Sequence, residues 1–297
     1  MRFIYFIIIF TIISCNDHKK ILPDSTGSNS EILFVAPDYL WDEKIKDYVF
    51  NTFCQDIPGI SKSESSFKVL QINNHELTSL LKTHTNIILI SNDSTTSFTN
   101  NLWANNQLVT HLSFIGNLSQ FQIDCNNTYK LYYDKEIISF RNKMIANSNK
   151  KYSVDILKTY GIDIIIPSKY TYVHDSSDAM IFSYSPKNKD EIKHIFIYRL
   201  LAKNLDESII IEETNKILSR SLIGPKSNTH VIIEDRFPFE MYNNSYRGLW
   251  KLSKGFMGGS ILIKPFFTDN DVVLVCAMVF DPGNPKRNHI KEFESIF

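Results

Sequence analysis

The tightest group of side chains that could do chemistry is His174 with Asp175 and Asp178. One imidazole and two carboxylates so close together could hold a divalent cation or act as an acid–base pair. The same His-Asp-Ser-Ser-Asp segment, between two predicted strands, equally fits a solvated loop with Asx turns. His194 and His230 each flank a predicted strand singly, where an edge or capping histidine is the simpler interpretation.

A serine nucleophile on a strand-to-helix turn would need the pattern G-x-S-x-G. The nearest segment, Gly258-Gly259-Ser260, lacks that pattern and enters an apolar run, which favours a glycine bulge or tight turn between strands. The sequence has no G-x-G-x-x-G, P-loop or H-E-x-x-H motif. We therefore predict no catalytic residue, no cofactor and no metal.

Two basic segments could contact a partner. Arg247 could stack on Trp250 or meet an anionic glycan or a partner protein, but period two places the two side chains on opposite faces of a strand, with Trp250 in the core. Lys286 and Arg287 stand at the start of a predicted helix, where the helix dipole disfavours cations. We expect a partner, or a carboxylate elsewhere in the chain, to hold this pair.

The N-terminus carries a targeting signal. Arg2 precedes the apolar run Phe3–Ile13, which has the length of a signal-peptide core and is too short to span a bilayer. Ile12-Ile13-Ser14-Cys15 resembles a bacterial lipobox, in which the cysteine takes the lipid. A buried N-terminal strand is the alternative, but the polar residues 16–30 suit a tether. We predict a signal peptide over 1–14, lipid on Cys15, a tether over 15–30, and an envelope location at the outer membrane.

Two Asp-Ser-Thr triplets, Asp24–Thr26 and Asp93–Thr95, resemble the short O-glycosylation acceptor of Bacteroidota envelope proteins. Motifs of three residues are also frequent by chance. Glycosylation is therefore an open alternative at both positions.

Charge and cysteine content exclude some classes of protein. The 297 residues carry 32 basic and 32 acidic side chains and 43% apolar residues, which is a globular composition without the basic field of a nucleic-acid binder. After Cys15, an odd set remains: Cys54, Cys125 and Cys276. No ligand spacing connects them, and we expect mostly buried thiols, with one disulfide as the alternative.

Periodicity predicts the elements that must position these residues. Strands are expected at 31–36, 67–72, 86–91, 103–114, 162–166, 170–174, 179–184, 194–200, 246–254, 260–267 and 271–280, and helices at 39–53, 76–81, 132–145, 153–160, 207–221 and from 285. The order indicates an α+β fold with mixed and antiparallel sheets, packed helices and two lobes. We place the lobes at 31–150 and 151–297, although 147–151 could also be a break between two helices.

Several segments together carry a family resemblance. They are Ile57-Pro58-Gly59, Leu102-Trp103-Ala104, Ile223-Gly224-Pro225, Arg247-Gly248-Leu249-Trp250 with Phe256-Met257-Gly258-Gly259, and Pro282 with Lys286-Arg287-Asn288. Behind a lipobox, they resemble an uncharacterised lipoprotein family of Bacteroidota, domain of unknown function 4837, over residues 31–297. Ser260-Ile261 departs from the Pro-Phe expected there. The resemblance implies an envelope lipoprotein and supplies no activity, cofactor or catalytic residue.

The leading hypothesis is a non-enzymatic, lipid-anchored envelope protein that serves binding or assembly, with the membrane and an envelope protein or glycan, and not nucleic acid, as its partners. An envelope hydrolase acting on glycan or peptide is the first alternative, since catalytic pairs need not be adjacent in sequence. A structural subunit of a larger envelope complex is the second.

Overall fold

The computed structural model describes residues 21–173, 179–200, 205–226, 228–269 and 271–297. They form an α+β fold with two sheets and packed helices, as predicted. In the described part of the chain, no helix is both long enough and apolar enough to cross a membrane.

The first sheet comes from residues 31–113 and has the strand order β2-β1-β3-β5-β4. Its first four members run parallel, and β4 is an antiparallel edge strand. The strands are β1 (Glu31–Val35), β2 (Lys68–Ile72), β3 (Asn86–Ser91), β4 (Ser97–Asn100) and β5 (Leu108–Ser113). The central strands are apolar runs because helices or loops cover both faces of the sheet.

Three α-helices belong to this half. They are α1 (Asp38–Leu40), which continues through a π-helical turn (Trp41–Ile45) into α2 (Lys46–Phe53), and then α3 (Leu118–Ala146). The next helix, α4 (Lys150–Tyr160), packs against the second sheet. α2 and α3 cover one face of the first sheet. α3 begins fourteen residues before its predicted start at Tyr132, because the Asn117 side chain accepts a hydrogen bond from the Gln120 N–H and caps a polar first turn.

Three further predictions are corrected. The predicted strand 103–114 is shorter and is preceded by β4, whose Ser/Thr/Asn-rich residues pair with β5 although their composition predicts a loop. The predicted helix 76–81 is replaced by two single 3-10 turns, Asn74–Glu76 and Leu81–Thr83. In the second half, the predicted strand 162–166 pairs with no strand among the described residues. Instead the Ile165 N–H donates to the carbonyl of Ile296, which holds this apolar run in the core.

The second sheet is antiparallel and follows the order β10-β11-β12-β13-β8-β7-β6, with β9 paired to β11. Its strands are β6 (Thr171–Val173), β7 (Ala179–Tyr184), β8 (Ile192–Leu200), β9 (Val231–Ile233), β10 (Glu240–Tyr242), β11 (Ser245–Leu252), β12 (Gly258–Phe267) and β13 (Val272–Phe280). α5 (Glu207–Ser221) covers one face, and α4 with α6 (Arg287–Ser295) covers the other. The central strand β13 is therefore apolar on both faces.

The two halves meet where α6 packs against α3. Lys291 on α6 is fully buried and forms an ion pair with Glu136 on α3, and its ammonium also donates to the Ser66 carbonyl at 3.2 Å. The Arg141 guanidinium on α3 donates to the Ser295 carbonyl at 3.0 Å. The C-terminal helix thus joins the two sheets through buried charges.

The segment before β1 also contacts the first sheet. The Ser25 N–H donates to the Asn105 carbonyl at 3.2 Å, and the Thr26 N–H donates to the Thr83 carbonyl at 2.9 Å. Of the residues predicted as tether, those from Pro23 onward follow the loops at the amino ends of the parallel strands.

Candidate functional site

Arg247 does not face solvent. Its side chain is fully buried on β11, forms an ion pair with Glu294 of α6 and stacks over the Tyr242 ring at 4.3 Å. The Tyr133 hydroxyl donates to the other Glu294 oxygen. Burial raises the pKa of Glu294, and the Arg247 charge opposes that rise. The guanidinium is thus part of the contact between the halves, and not a surface that an anionic partner can reach.

Trp250 lies on the opposite face of β11, as period two predicts, and is buried in the core beneath α5. Its Nε1–H donates to the Val279 carbonyl at 3.1 Å. Gly258 and Gly259 are the first residues of β12, opposite Lys251 and Trp250. A Cβ at Gly259 would overlap the Val279 oxygen and lie 3.0 Å from Trp250 Nε1. The glycine pair lets Trp250 approach the backbone and forms no nucleophile turn.

The backbone of Lys286 and Arg287 meets a carboxylate of the first half, whereas the charged ends of both side chains contact neutral oxygens. The Glu64 carboxylate accepts the backbone N–H groups of Lys286 and Arg287 at 2.7 and 2.8 Å. It therefore caps α6 and offsets the unfavourable dipole. The Arg287 guanidinium donates to Ser30 Oγ at 2.8 Å and to the Ser65 carbonyl at 3.2 Å. Both residues serve the contact between the halves.

The other predicted residues divide into two groups. Cys15, His174, Asp175 and Asp178 lie outside the described residues. Cys54, Cys125 and Cys276 are described and form no disulfide with one another. Burial raises the pKa of the Cys54 thiol, as expected for a thiol removed from water. Thr26 and Thr95, in the two Asp-Ser-Thr triplets, are both exposed.

The structure contains a polar cavity of about 630 Å³ at the amino ends of the parallel strands, which the sequence analysis did not predict. It lies between α3 and the residues that precede β1, β3 and β5. Amides and hydroxyls dominate its walls, which include Ser25, Asn29, Asn86, Asn100, Asn101, Asn106, Gln107, Ser139 and Asn142. The charged side chains of the wall are Lys135, Glu136 and Lys143. The Glu136 carboxylate is already paired with Lys291, which leaves an excess of positive charge at the cavity.

Lys135 is the distinctive side chain of this cavity. Its half-buried ammonium donates to the Thr85 carbonyl at 3.0 Å and to Asn86 Oδ1 at 2.8 Å, both neutral acceptors. Within the described chain no carboxylate forms an ion pair with it. Burial lowers the pKa of Lys135 to about 8, and the nearby Glu136 charge only partly opposes this. The ammonium is held in place without a counter-charge.

The carboxyl edge of the same sheet is the more usual ligand site in open α/β folds. Here its polar groups satisfy one another. The Asp38 carboxylate accepts from Gln71 Nε2 at 3.1 Å and from Asn73 Nδ2 at 2.7 Å, and these hydrogen bonds lower the pKa of Asp38. At this edge the Asp38 carboxylate is therefore already bound by protein amides, whereas the Lys135 ammonium at the amino edge has no carboxylate partner among the described residues.

A second group of ionisable side chains surrounds α6. His289 Nε2 lies 2.8 Å from Asp281 Oδ2, and its Nδ1 lies 3.9 Å from a Glu191 oxygen. The buried Lys193 forms ion pairs with Glu191 at 2.9 Å and with Glu292 at 2.6 Å. Among the described residues, no hydroxyl or thiol hydrogen-bonds to the imidazole. The group therefore contains an acid–base pair to which no nucleophile is hydrogen-bonded among the described residues, and its ion pairs fix α6 against the neighbouring strands and loops.

A smaller, apolar cavity of about 250 Å³ lies in the second half, beneath the segment that follows α5. Its walls include Leu222, Val231, Trp250, Met257, Met278 and Phe280, together with His194. His194 was expected at an edge or cap, but it sits on β8, between β7 and β13, directly opposite Met278. Burial lowers the pKa of His194 to about 4, so the ring is neutral near pH 7.

Sequence reasoning missed Lys135, Glu136, Lys291 and Glu294. A signal for Glu136 existed, because it falls four residues after Tyr132 and three after Tyr133, on the buried face of a helix. Nothing in the sequence indicated that the partner of Glu136 would come from a helix 155 residues further along the chain.

Two family models match the chain. The Domain of unknown function (DUF4837) matches residues 148–297, and the Domain of unknown function (DUF8532) matches residues 25–117. The resemblance expected over 31–297 is therefore narrower, since a different model covers most of the first half. No curated protein and no solved structure matches. Because the first model spans half of the chain, this protein belongs to the DUF4837 family, whose members have a domain of unknown function.

Proposed function

We propose that this chain is a lipid-anchored protein of the cell envelope that binds an anionic, hydroxyl-rich ligand, such as an acidic sugar of an envelope glycan. The apolar N-terminal run and Cys15 support the anchor and the location. The cavity beside Lys135 supports the ligand. A role in binding, without turnover, fits an acid–base pair at His289 that has no hydroxyl or thiol hydrogen-bonded to it in the described chain.

The observation that carries the proposal is the uncompensated ammonium of Lys135. Removing a charge from water is costly unless it meets an opposite charge, and folded proteins normally supply one. Here the neutral Thr85 and Asn86 oxygens orient the ammonium, and the side chain lines an open polar cavity. An anionic ligand would complete the ion pair and would raise the pKa of Lys135 again.

The remaining wall specifies the rest of the ligand. The buried amides of Asn86 and Gln107 are already hydrogen-bonded within the protein. The exposed amides of Asn100, Asn106 and Asn142 each present a donor and an acceptor, which suits hydroxyl groups better than it suits a hydrocarbon. The volume of about 630 Å³ falls within the range of small-molecule sites and accommodates one or two sugar rings. A carboxylate on a sugar, as in a uronic acid, combines both features in one molecule.

Calorimetry with the probe sodium glucuronate, and with neutral glucose as its uncharged counterpart, tests this proposal. We expect glucuronate to bind at least about tenfold more tightly than glucose, because it alone can pair with Lys135. Lys135→Met should abolish that difference. Lys130→Met is the matched control, since Lys130 is on the same helix, is mostly exposed and pairs with Asp134. Equal affinity for both sugars, or no binding of glucuronate at pH 7, contradicts the proposal.

The anchor has a separate test. Wild-type protein expressed in a lipoprotein-processing bacterium should incorporate radiolabelled palmitate and sediment with membranes, and Cys15→Ser should do neither. Cys54→Ser is the control, because Cys54 follows α2 inside the folded domain. Labelling of the Cys15→Ser variant would refute the anchor and leave the glucuronate result unaffected.

A further inference from the structure

We infer that the apolar cavity beneath the segment 221–225 is a second binding site, and that it takes the end of a neutral aliphatic acyl or alkyl chain. The site is independent of the polar cavity beside Lys135, because it lies in the other half of the molecule and shares no wall residue with it. The walls, the volume and the rim each contribute to this assignment.

The walls exclude a charged occupant. None of the side chains that line the cavity carries a formal charge near neutral pH, and the single imidazole, from His194, is neutral there. Two methionines, Met257 and Met278, contribute flexible and polarizable surface, which adapts to chains of different shape. Among the described residues, His194 Nδ1 is buried without a hydrogen-bond partner. A buried polar atom without a partner costs free energy, and an apolar side chain at this position would not.

The volume limits the size of the occupant. An apolar cavity of about 150 Å³ stays dry and admits benzene, so a cavity of about 250 Å³ takes on the order of ten carbon atoms. Water is a poor occupant, because it needs two to four polar partners and these walls offer few. A hydrocarbon segment of that length gains free energy for every methylene removed from water.

The rim favours a chain over a compact ring. Ile223 lines the cavity and is nevertheless 74% exposed, so the mouth of the cavity presents an apolar side chain to water. An occupant that ended inside the cavity would leave this apolar rim in water, whereas a longer chain would cover it.

The test measures quenching of tryptophan fluorescence by brominated alkanols, because Trp250 lines the cavity and bromine quenches an indole only on contact. We expect bromodecanol to quench the tryptophan fluorescence of the full chain saturably and with one-to-one stoichiometry. Trp250→Phe should remove that quenching, whereas Trp103→Phe, which changes an indole of the first half, should keep it. Leu222→Trp should fill the cavity and weaken decanol binding at least about tenfold.

Two comparisons make the result decisive. Leu157→Trp, at an exposed leucine of α4, controls for adding an indole, and circular dichroism shows whether each variant is folded. Ile223→Ser, at the exposed rim, should weaken hexadecanol about threefold and leave octanol unchanged, because only the longer chain reaches the rim. Hexadecanol and vesicles of phosphatidylcholine are tested in parallel. Binding of hexadecanol alone indicates that the site takes a free chain, and binding to the vesicles indicates that it takes the chain of a membrane lipid.

Three outcomes overturn the inference. They are the absence of saturable quenching by bromodecanol, tighter binding of 2-naphthol than of decanol, and an equal effect of Ile223→Ser on octanol and hexadecanol. Each result would mean that the cavity is closed in solution or is shaped for a compact ring.

Discussion

The ion pair between Glu136 and Lys291 joins α3 of the first half to α6 of the second half, and the substitution Glu136→Gln tests what it contributes. Gln has nearly the same shape as Glu and removes only the charge. Lys291 would then keep its hydrogen bond to the Ser66 carbonyl, and its ammonium would remain 5.0 Å from the Tyr133 ring centre. It would be fully buried without a counter-charge.

Burial determines the expected magnitude. Removing one partner of a buried pair typically costs about 3–5 kcal/mol, because the remaining charge stays in a medium that solvates it poorly. The pair Lys130–Asp134, on the same helix, has the opposite environment, with side chains 75% and 51% exposed. Asp134→Asn should therefore cost only about 0.3–0.5 kcal/mol. We therefore expect the loss in free energy of unfolding to be about ten times larger for Glu136→Gln than for Asp134→Asn.

Urea denaturation, followed both by circular dichroism and by tryptophan fluorescence, gives the free energy of unfolding for each variant. Lys291→Met and the double variant Glu136→Gln/Lys291→Met complete a double-mutant cycle, and the double variant should recover most of the loss. Burial lowers the pKa of Lys291, and the Glu136 charge opposes this. Without that charge the pKa falls further, so the deficit of Glu136→Gln should shrink as the pH rises and the ammonium loses its proton.

Two results would refute this reasoning. A cost below about 1 kcal/mol for Glu136→Gln would show that water reaches the pair in solution. A double variant no more stable than Glu136→Gln would show that the loss comes from packing and not from an unpaired charge.

Three further predictions concern other parts of the molecule. Gly259→Ala should destabilise the fold by about 3 kcal/mol in thermal or urea unfolding, because its methyl group would overlap the Val279 oxygen. Gly255→Ala should cost less, since the atoms nearest its Cβ belong to the Leu252 side chain and not to the backbone. Tyr198→Phe should cost about 1.5 kcal/mol by removing the 2.6 Å bond to Thr214 Oγ1, and adding Thr214→Val should recover part of it; no recovery would contradict a buried, unpaired hydroxyl. The pKa of Lys135 is about 8 in the folded protein, which is lower than in the unfolded chain. The free energy of unfolding should therefore rise between about pH 8 and pH 10, and glucuronate affinity measured by calorimetry should fall about tenfold per pH unit above pH 8. A flat pH profile would contradict both expectations.

The sequence by itself determined the apolar strands and the alternation of side chains along them. The strands around Phe34, Ile88 and Val275 are apolar runs, and such runs are extended and buried wherever they pack. The spacing of Arg247 and Trp250 placed the two side chains on opposite faces, because the side chains of a strand alternate whatever its neighbours are. The α+β order follows from the same local patterns.

Only the tertiary structure decided where the charges lie. The sequence presents Arg247, Lys286 and Arg287 as surface cations. In the structure Glu294 pairs with the Arg247 guanidinium, and Glu64 accepts from the backbone of Lys286 and Arg287 at the contact between the halves. Periodicity reports which face of an element is buried but not which distant element covers it, so it cannot pair side chains more than a hundred residues apart.

The cavities have the same origin. Lys135 lies on a helix, and its neighbours in sequence predict an ordinary solvent-exposed face. It becomes a candidate binding residue only because Thr85, Asn86 and the loop before β1 surround it. His194 becomes a cavity wall only because β13 brings Met278 beside it. A site assembled from several elements depends on their packing geometry, and the physical information for that packing is distributed over the whole chain.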